Sequence, residues 1–284
     1  MLRLGMAYDA AKWLRPSKCI VTQPLSRHSE AMGTFEELVT DAEEADVTGW
    51  GFQYLDGRAT EERPPWAFSR LLAEHLSTVD SALDLDTGGG EVINEAPALP
   101  ATMAVTEAWP PNVARARQTL GARGVHVVQT DADADQLPFD DESFDLVTAR
   151  HPVRPNYWTE IWRVLRPEGH YLAQHVGPSS AIELIEYFLG PRLPEQRSGR
   201  EPILEADGAR AAGLSIERLE TARCRMEFYD IGAVVWILRK CVWWVPDFSV
   251  ARYEGRLRDL DSQLRAGQPF VAHSTRHLIV ATRQ

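Results

Sequence analysis

Cysteine is scarce in this chain: Cys19, Cys224 and Cys241 are the only three in 284 residues. An odd set without paired ligand spacing excludes a disulfide framework, predicts no metal site, and reads as reduced thiols of a cytoplasmic protein. Long apolar runs are missing too. No stretch approaches the roughly 18 consecutive apolar residues of a membrane span, and the clusters near Val234 and Trp243 are broken by Arg239 and Lys240. Residues 1–32 lack the basic head, apolar run and small-residue cleavage site of a secretion signal, so export is not expected. Positive charge is in deficit, with 30 Lys and Arg against 41 Asp and Glu for a net charge of −11. Binding to a phosphate backbone rests on Lys and Arg, so nucleic acid is not the expected partner. Arg115, Arg117 and Arg123 are followed closely by Asp131, Asp133 and Asp135, which reads as a solvated mixed surface.

What is present is enough apolar material, 44% of residues, for one large core. Residues 1–32 show no sustained periodicity and read as an extension. Thr34 and Glu37 form a capping-box pattern that opens a helix to about Ala45. Residues 49–63 read as loop, and Pro64-Pro65-Trp66 leads into a helix carrying Leu71, Leu72 and Leu76. From residue 81 short apolar runs alternate with helical segments. Strands are predicted at 82–86, 101–107, 125–130, 144–149 and 171–175, and helices at 91–95, 112–120 and 157–165. That rhythm predicts a parallel sheet covered by helices on both faces. Beyond it come helices near 181–189, 206–212, 231–242 and 250–266. Long strands at 214–227 and 277–282 predict an antiparallel edge.

In an open α/β sheet the ligand lies beyond the carboxyl ends of the strands, so the residues just after each strand carry the interest. The first predicted strand delivers Asp84 and then Thr87-Gly88-Gly89-Gly90, a turn bare enough for a ligand to approach the backbone. The second ends on Glu107, placed to accept both hydroxyls of a ribose. After the third, Asp131 and Ala132 are placed to meet an adenine. Two further blocks follow: Leu137-Pro138-Phe139, running on to Ser143-Phe144-Asp145-Leu146-Val147, and Arg163-Val164-Leu165-Arg166-Pro167-Glu168-Gly169.

Together with the glycine turn and Glu107, these blocks resemble the class I S-adenosylmethionine-dependent methyltransferases, in particular the methyltransferase type 11-like branch, over about residues 80–176. The resemblance implies a Rossmann-like, doubly wound seven-stranded sheet, mostly parallel with an antiparallel C-terminal edge strand, plus an N-terminal helical lid. It divides the chain into a 33–78 lid and a 79–284 catalytic domain with an insertion at about 228–268. It also implies S-adenosylmethionine as cofactor. The methionine end would lie on Asp84, Thr87, Gly88, Gly89 and Gly90, the ribose on Glu107, and the adenine beside Asp131 and Ala132, with Arg150 and His151 facing the sulfonium. The chain departs from the family at Asp86, where a glycine is usual.

Methyl transfer by in-line displacement asks mainly for alignment and exclusion of water. A base is needed only where the acceptor must lose a proton, and His151 is the candidate. Trp66, Phe228, Asp230 and Trp236 are expected around a chamber for a small-molecule acceptor. Rival readings are a protein of this fold that binds the cofactor without transferring methyl, a nucleic-acid methyltransferase, and a nicotinamide oxidoreductase. The acceptor atom and the oligomeric state are left open.

Overall fold

A computed structural model describes residues 33–284 except 48–50, 132–133, 153–156, 194 and 196–199. Eight strands form one sheet: β1 (Ala59–Glu61), β2 (Ser81–Leu85), β3 (Thr102–Glu107), β4 (His126–Gln129), β5 (Phe144–Arg150), β6 (Leu165–Val176), β7 (Leu214–Phe228) and β8 (Phe270–Arg283). Their order across the sheet is β1-β7-β8-β6-β5-β2-β3-β4. The run from β6 to β4 is parallel, and β8 is antiparallel to both of its neighbours. The expected seven strands become eight because 59–61, read as loop, pairs antiparallel with Phe228, Glu227 and Met226 of β7. Three residues with no apolar alternation leave no strand signal in the sequence. This added strand, rather than the C-terminal one, forms that edge.

Alternating side chains build two cores. On one face Ala82, Leu146, Leu172 and Val280 pack against α2 (Phe68–Leu76), α3 (Glu91–Glu95) and α4 (Pro110–Leu120). On the other, Leu83, Val147, Ala173 and Ile279 pack against α5 (Trp158–Val164) and α7 (Pro202–Ala211). All five residues of β2 are buried, as befits a strand flanked on both sides and covered on both faces.

The two sequence blocks that carry the resemblance are one physical unit. Arg163, on α5, donates to the carbonyls of Phe139 and Leu137 at 2.7 and 3.0 Å and pairs with Glu160 at 2.6 Å. Glu160 in turn accepts from the Leu137 backbone N–H at 2.7 Å. Arg166 pairs with Asp145, whose other oxygen takes the Ser81 N–H and hydroxyl. The arginines thus fasten the approach to β5 and the start of β2.

A third core lies under α1 (Phe35–Glu44), α6 (Ile182–Leu189), α8 (Ile231–Lys240) and α9 (Val250–Arg265). The capping box that starts α1 is formed, with Thr34 N–H on Glu37 and Glu37 N–H on the Thr34 hydroxyl. At its other end carbonyls of the last turn and of the residues just after it are taken by α8. Arg239 donates to Ala42 and Ala45, Trp236 to Asp46 and Lys240 to Val47. Residues 33–78, expected as one lid, therefore divide between two places: α1 belongs to this helical cluster, whereas α2 packs Leu72 and Leu76 into the sheet. Among the described residues no helix is long and apolar enough to cross a membrane.

Candidate active site

The turn after β2 lies where the strand order reverses, between β3 on one side and β5 on the other. Asp84 is buried just before it and accepts the Thr148 hydroxyl from β5 at 2.6 Å. Burial pushes its carboxyl up to about 6, against the hydroxyl contacts that favour the charged form. The neighbouring carboxylate of Asp86 adds to the rise.

Asp86 occupies the left-handed region at φ 53°. Aspartate is among the few side chains tolerated there, so the turn keeps its course although the usual glycine is missing. Gly88 and Gly90 follow at φ 67° and 80°. A side chain at Gly90 would also strike Leu120, whose nearest atom lies 2.6 Å from an ideal Cβ, so α4 can close against the turn only over glycine.

Glu107 ends β3 and holds this turn. One oxygen accepts the Gly88 N–H at 2.9 Å and, at 3.4 Å, the Asn112 amide; the other accepts the N–H groups of Ala108 and Trp109, both at 2.9 Å. Four donors fill a carboxylate's roughly four acceptor positions. Any ribose hydroxyl reaching Glu107 must displace one of them, and the long Asn112 contact is the weakest. Beside the turn a cleft is lined by Asp86, Thr106, Thr130, Tyr157, Tyr171 and Arg200, among others. Asp131 follows β4 on an exposed segment, and Ala132 lies outside the described residues.

At the end of β5 Arg150 is exposed, and His151 takes a left-handed backbone at φ 57°. Its N–H donates to the Gln174 carbonyl of β6 at 2.7 Å, and its Nε2 lies 3.1 Å from the Gln174 amide nitrogen. The other end of that amide is decided by Trp66, which is a donor only: its indole N–H meets Gln174 Oε1 at 2.7 Å. Gln174 must then present N–H to His151, so His151 Nε2 accepts and the ring proton sits on Nδ1. Burial, with Arg276 and Arg150 nearby, holds the imidazole well below its ordinary value and therefore neutral. A neutral ring whose Nε2 is already engaged in this way presents Nδ1 as a hydrogen-bond donor.

The expected acceptor chamber is not assembled around this cleft. Phe228 and Trp236 are buried in the helical core, Trp236 stacked on Tyr54 with ring centroids 5.4 Å apart. Asp230 caps α8 through the Ala233 N–H and takes Arg58 at 3.0 Å, so its carboxylate is structural. Trp66 lies in the sheet core and reaches the site only through Gln174. Sequence reasoning missed Gln174, Tyr171 and Arg200. The rule that found Arg150 and His151, polar residues at the carboxyl end of a strand, would have found Gln174; Arg200 follows a loop with no pattern.

Residues 83–173 match the family model described as a methyltransferase domain. Among curated proteins, the phthiotriol/phenolphthiotriol dimycocerosates methyltransferase of Mycobacterium leprae is 44% identical over 75 residues, 24% of this chain and 27% of that protein. A second such enzyme, from Mycobacterium ulcerans, is 42% identical over 74 residues, again 24% and 27%. The chain thus spans about a quarter of the length of these relatives. Of solved structures, the YcgJ protein of Bacillus subtilis superposes with a TM-score of 0.55 at 19% identity, over 76% of this chain and 97% of that one. BH2331 of Bacillus halodurans gives 0.54 at 18%, over 76% and 98%. At such identity these structures speak to the fold alone.

Proposed function

From the match of residues 83–173 to a methyltransferase domain, we propose that the chain is a class I S-adenosylmethionine-dependent methyltransferase that transfers a methyl group to a small-molecule acceptor. The observation that carries this reading is the glycine turn clasped by Glu107 beside a cleft at the reversal of strand order.

The donor set suits the cofactor. Asp84 is a buried acid with no ion pair among the described residues, and an ammonium group beside it supplies one. The turn at Gly88 to Gly90 lets a ligand lie against bare backbone, and Glu107 exchanges its Asn112 contact for a hydroxyl. Asp131 and Ala132 are retained as the adenine side, and Asp86 and Arg150 as flanks of the sulfonium. When bound, S-adenosylmethionine supplies an electrophilic methyl carbon on a positively charged sulfur.

The chain's own residues then align and shield. Tyr157, Trp158 and Ile161 form an apolar wall of the cleft that excludes water. His151 orients the acceptor by donating from Nδ1, held in that tautomer by Gln174 and Trp66. With His151 acting as a donor, the fitting acceptor is a nucleophile that needs no deprotonation by this histidine. The curated relatives, named as phthiotriol/phenolphthiotriol dimycocerosates methyltransferases, support a small-molecule acceptor.

Calorimetric titration with S-adenosylmethionine and with its demethylated product tests the reading, followed by turnover on a panel of apolar acceptors. Binding that is weakened in Glu107→Ala, together with product formed on one acceptor class, is the expected result. Absence of binding at millimolar ligand rejects the cofactor; tight binding without turnover on any acceptor rejects methyl transfer.

A further inference from the structure

Adjacent residues of a strand face opposite ways, so where Gln174 looks toward α2, His175 looks toward α7. There three buried side chains converge without completing one another's hydrogen bonds. His175 and His277 are directly opposed in the β6–β8 ladder, with ring centroids 5.0 Å apart, and Glu205 reaches them from α7. Both histidines are fully buried and Glu205 is 8% exposed. Among the described residues His277 has no hydrogen-bond partner at either ring nitrogen. His175 Nδ1 lies 3.0 Å from Glu205 Oε2, yet the pair is not aligned as a hydrogen bond.

An imidazole left without partners in a core costs about 1–3 kcal/mol for each unsatisfied group, so buried histidines are ordinarily bonded. Here both strands and the helix bring nitrogen and oxygen lone pairs to one point. The edge-on stacking of the rings, at 71°, does not use those lone pairs.

We propose that His175, Glu205 and His277 bind one divalent first-row transition-metal ion, with zinc as the reference ion. Two imidazoles and one carboxylate are the ligand set such ions take, with a further position open. The ligand atoms lie within 4.8 Å of one another. Bonds of about 2.0–2.1 Å require separations no greater than about 4.2 Å, so small side-chain adjustments close the group. The 3.0 Å approach of His175 Nδ1 to Glu205 already has the length of a polyhedron edge.

The surrounding residues support the same assignment. Tyr171 hydroxyl lies 3.0 Å from His175 Nε2 and engages that nitrogen, which leaves Nδ1 as the ligand atom. Arg200 sits 3.1 Å from Glu205 and orients its carboxylate. Its positive charge also works against a cation, which places the affinity in the range of a reversible site. Tyr171 and Arg200 line the cleft as well, so the ion would stiffen the cleft wall from behind by joining β6, β8 and α7.

The test uses untagged full-length protein, stripped with chelator and titrated separately with Co2+ and Zn2+. The expected result is one equivalent bound per chain, visible Co2+ absorption of a nitrogen/oxygen site displaced by Zn2+, and a rise in melting temperature. His277→Leu and Glu205→Gln each weaken binding by about tenfold or more, as loss of one of three ligands implies. Tyr171→Phe, which keeps all three ligands, retains the stoichiometry. No absorption and no melting shift with either ion in excess overturns the proposal, and so does unchanged affinity in a folded His277→Leu. Should His277→Leu and Glu205→Gln fail to fold, the wild-type titration decides.

Discussion

Gln174 turns its amide nitrogen, and not its oxygen, toward His151, because the indole N–H of Trp66 claims the oxygen at 2.7 Å. The tautomer of a residue at the carboxyl end of β5 is thereby set by a tryptophan in the sheet core on the far side of Gln174.

Trp66→Phe frees the Gln174 amide to rotate. The expected outcome is a fall of about tenfold in kcat with the dissociation constant for S-adenosylmethionine nearly unchanged, since the loss is one of orientation. Gln174→Glu replaces the donor with an acceptor and raises the His151 pKa, moving the acid limb of the pH–rate profile upward by about a unit. Wild type, with His151 held low, should show no limb near the usual histidine value. Rate profiles of the three proteins against pH check all of this.

Asp84 gives a stability prediction with a definite sign. Its pKa is raised on folding from 3.8 to about 6, so the native state binds more protons in that window and the cofactor-free protein loses stability as pH rises through it. Two units correspond to about 3 kcal/mol at most. Asp84→Asn should therefore melt higher than wild type at pH 7.5, converge with it near pH 4, and bind S-adenosylmethionine at least tenfold more weakly, a charged contact being lost. Thermal scans across pH and one titration suffice.

For Asp86→Gly, relief of a left-handed backbone is offset by the entropy glycine gains in the unfolded chain, so stability should stay within about 1 kcal/mol of wild type. The same change removes a neighbouring negative charge and lowers the Asp84 pKa. Urea unfolding at pH 5 and pH 8 separates the two effects, because only the second depends on pH.

Arg58 binds Asp230 with two nitrogens and also reaches Asp41 at 3.0 Å. Arg58→Met strips the ion pair from a carboxylate that is 9% exposed, while the Ala233 N–H still donates to it. A cost of about 2–3 kcal/mol is expected, less after Asp230→Asn is added, because the stranded charge is then gone. Chemical denaturation of single and double variants measures it, and cofactor affinity should not move.

Much of this molecule is legible in its sequence because local chemistry and fold agree. The Thr34 and Glu37 cap, the buried run of β2 and the glycine turn each state their role within a few residues. Arg163 and Arg166 show why the two motif blocks travel together, a fact that spacing alone does not contain. Phe228 and Trp236 lie in the helical core, a placement the sequence does not announce, because an apolar side chain reads the same whether it packs two helices or lines a chamber. His151 was visible, but its tautomer depends on Gln174 and Trp66, the latter far away in sequence, and no local pattern encodes that chain of donors.

The position of β8 carries a kinetic consequence. Residues 270–283 separate β6 from β7, so these two strands have no partner in each other while β8 is missing from between them. The parallel half from β2 to β6 draws on contiguous chain, whereas β8 reaches β6 only across about 100 residues, as in the pair Val176 and Arg276. Loop closure of that length comes late. Folding should therefore show two units, the first competent to form the glycine turn and the second docking afterwards along β6. Until it docks, the His151 backbone contact on β6 is made beside an open sheet edge, and the histidine pair of β6 and β8 does not exist.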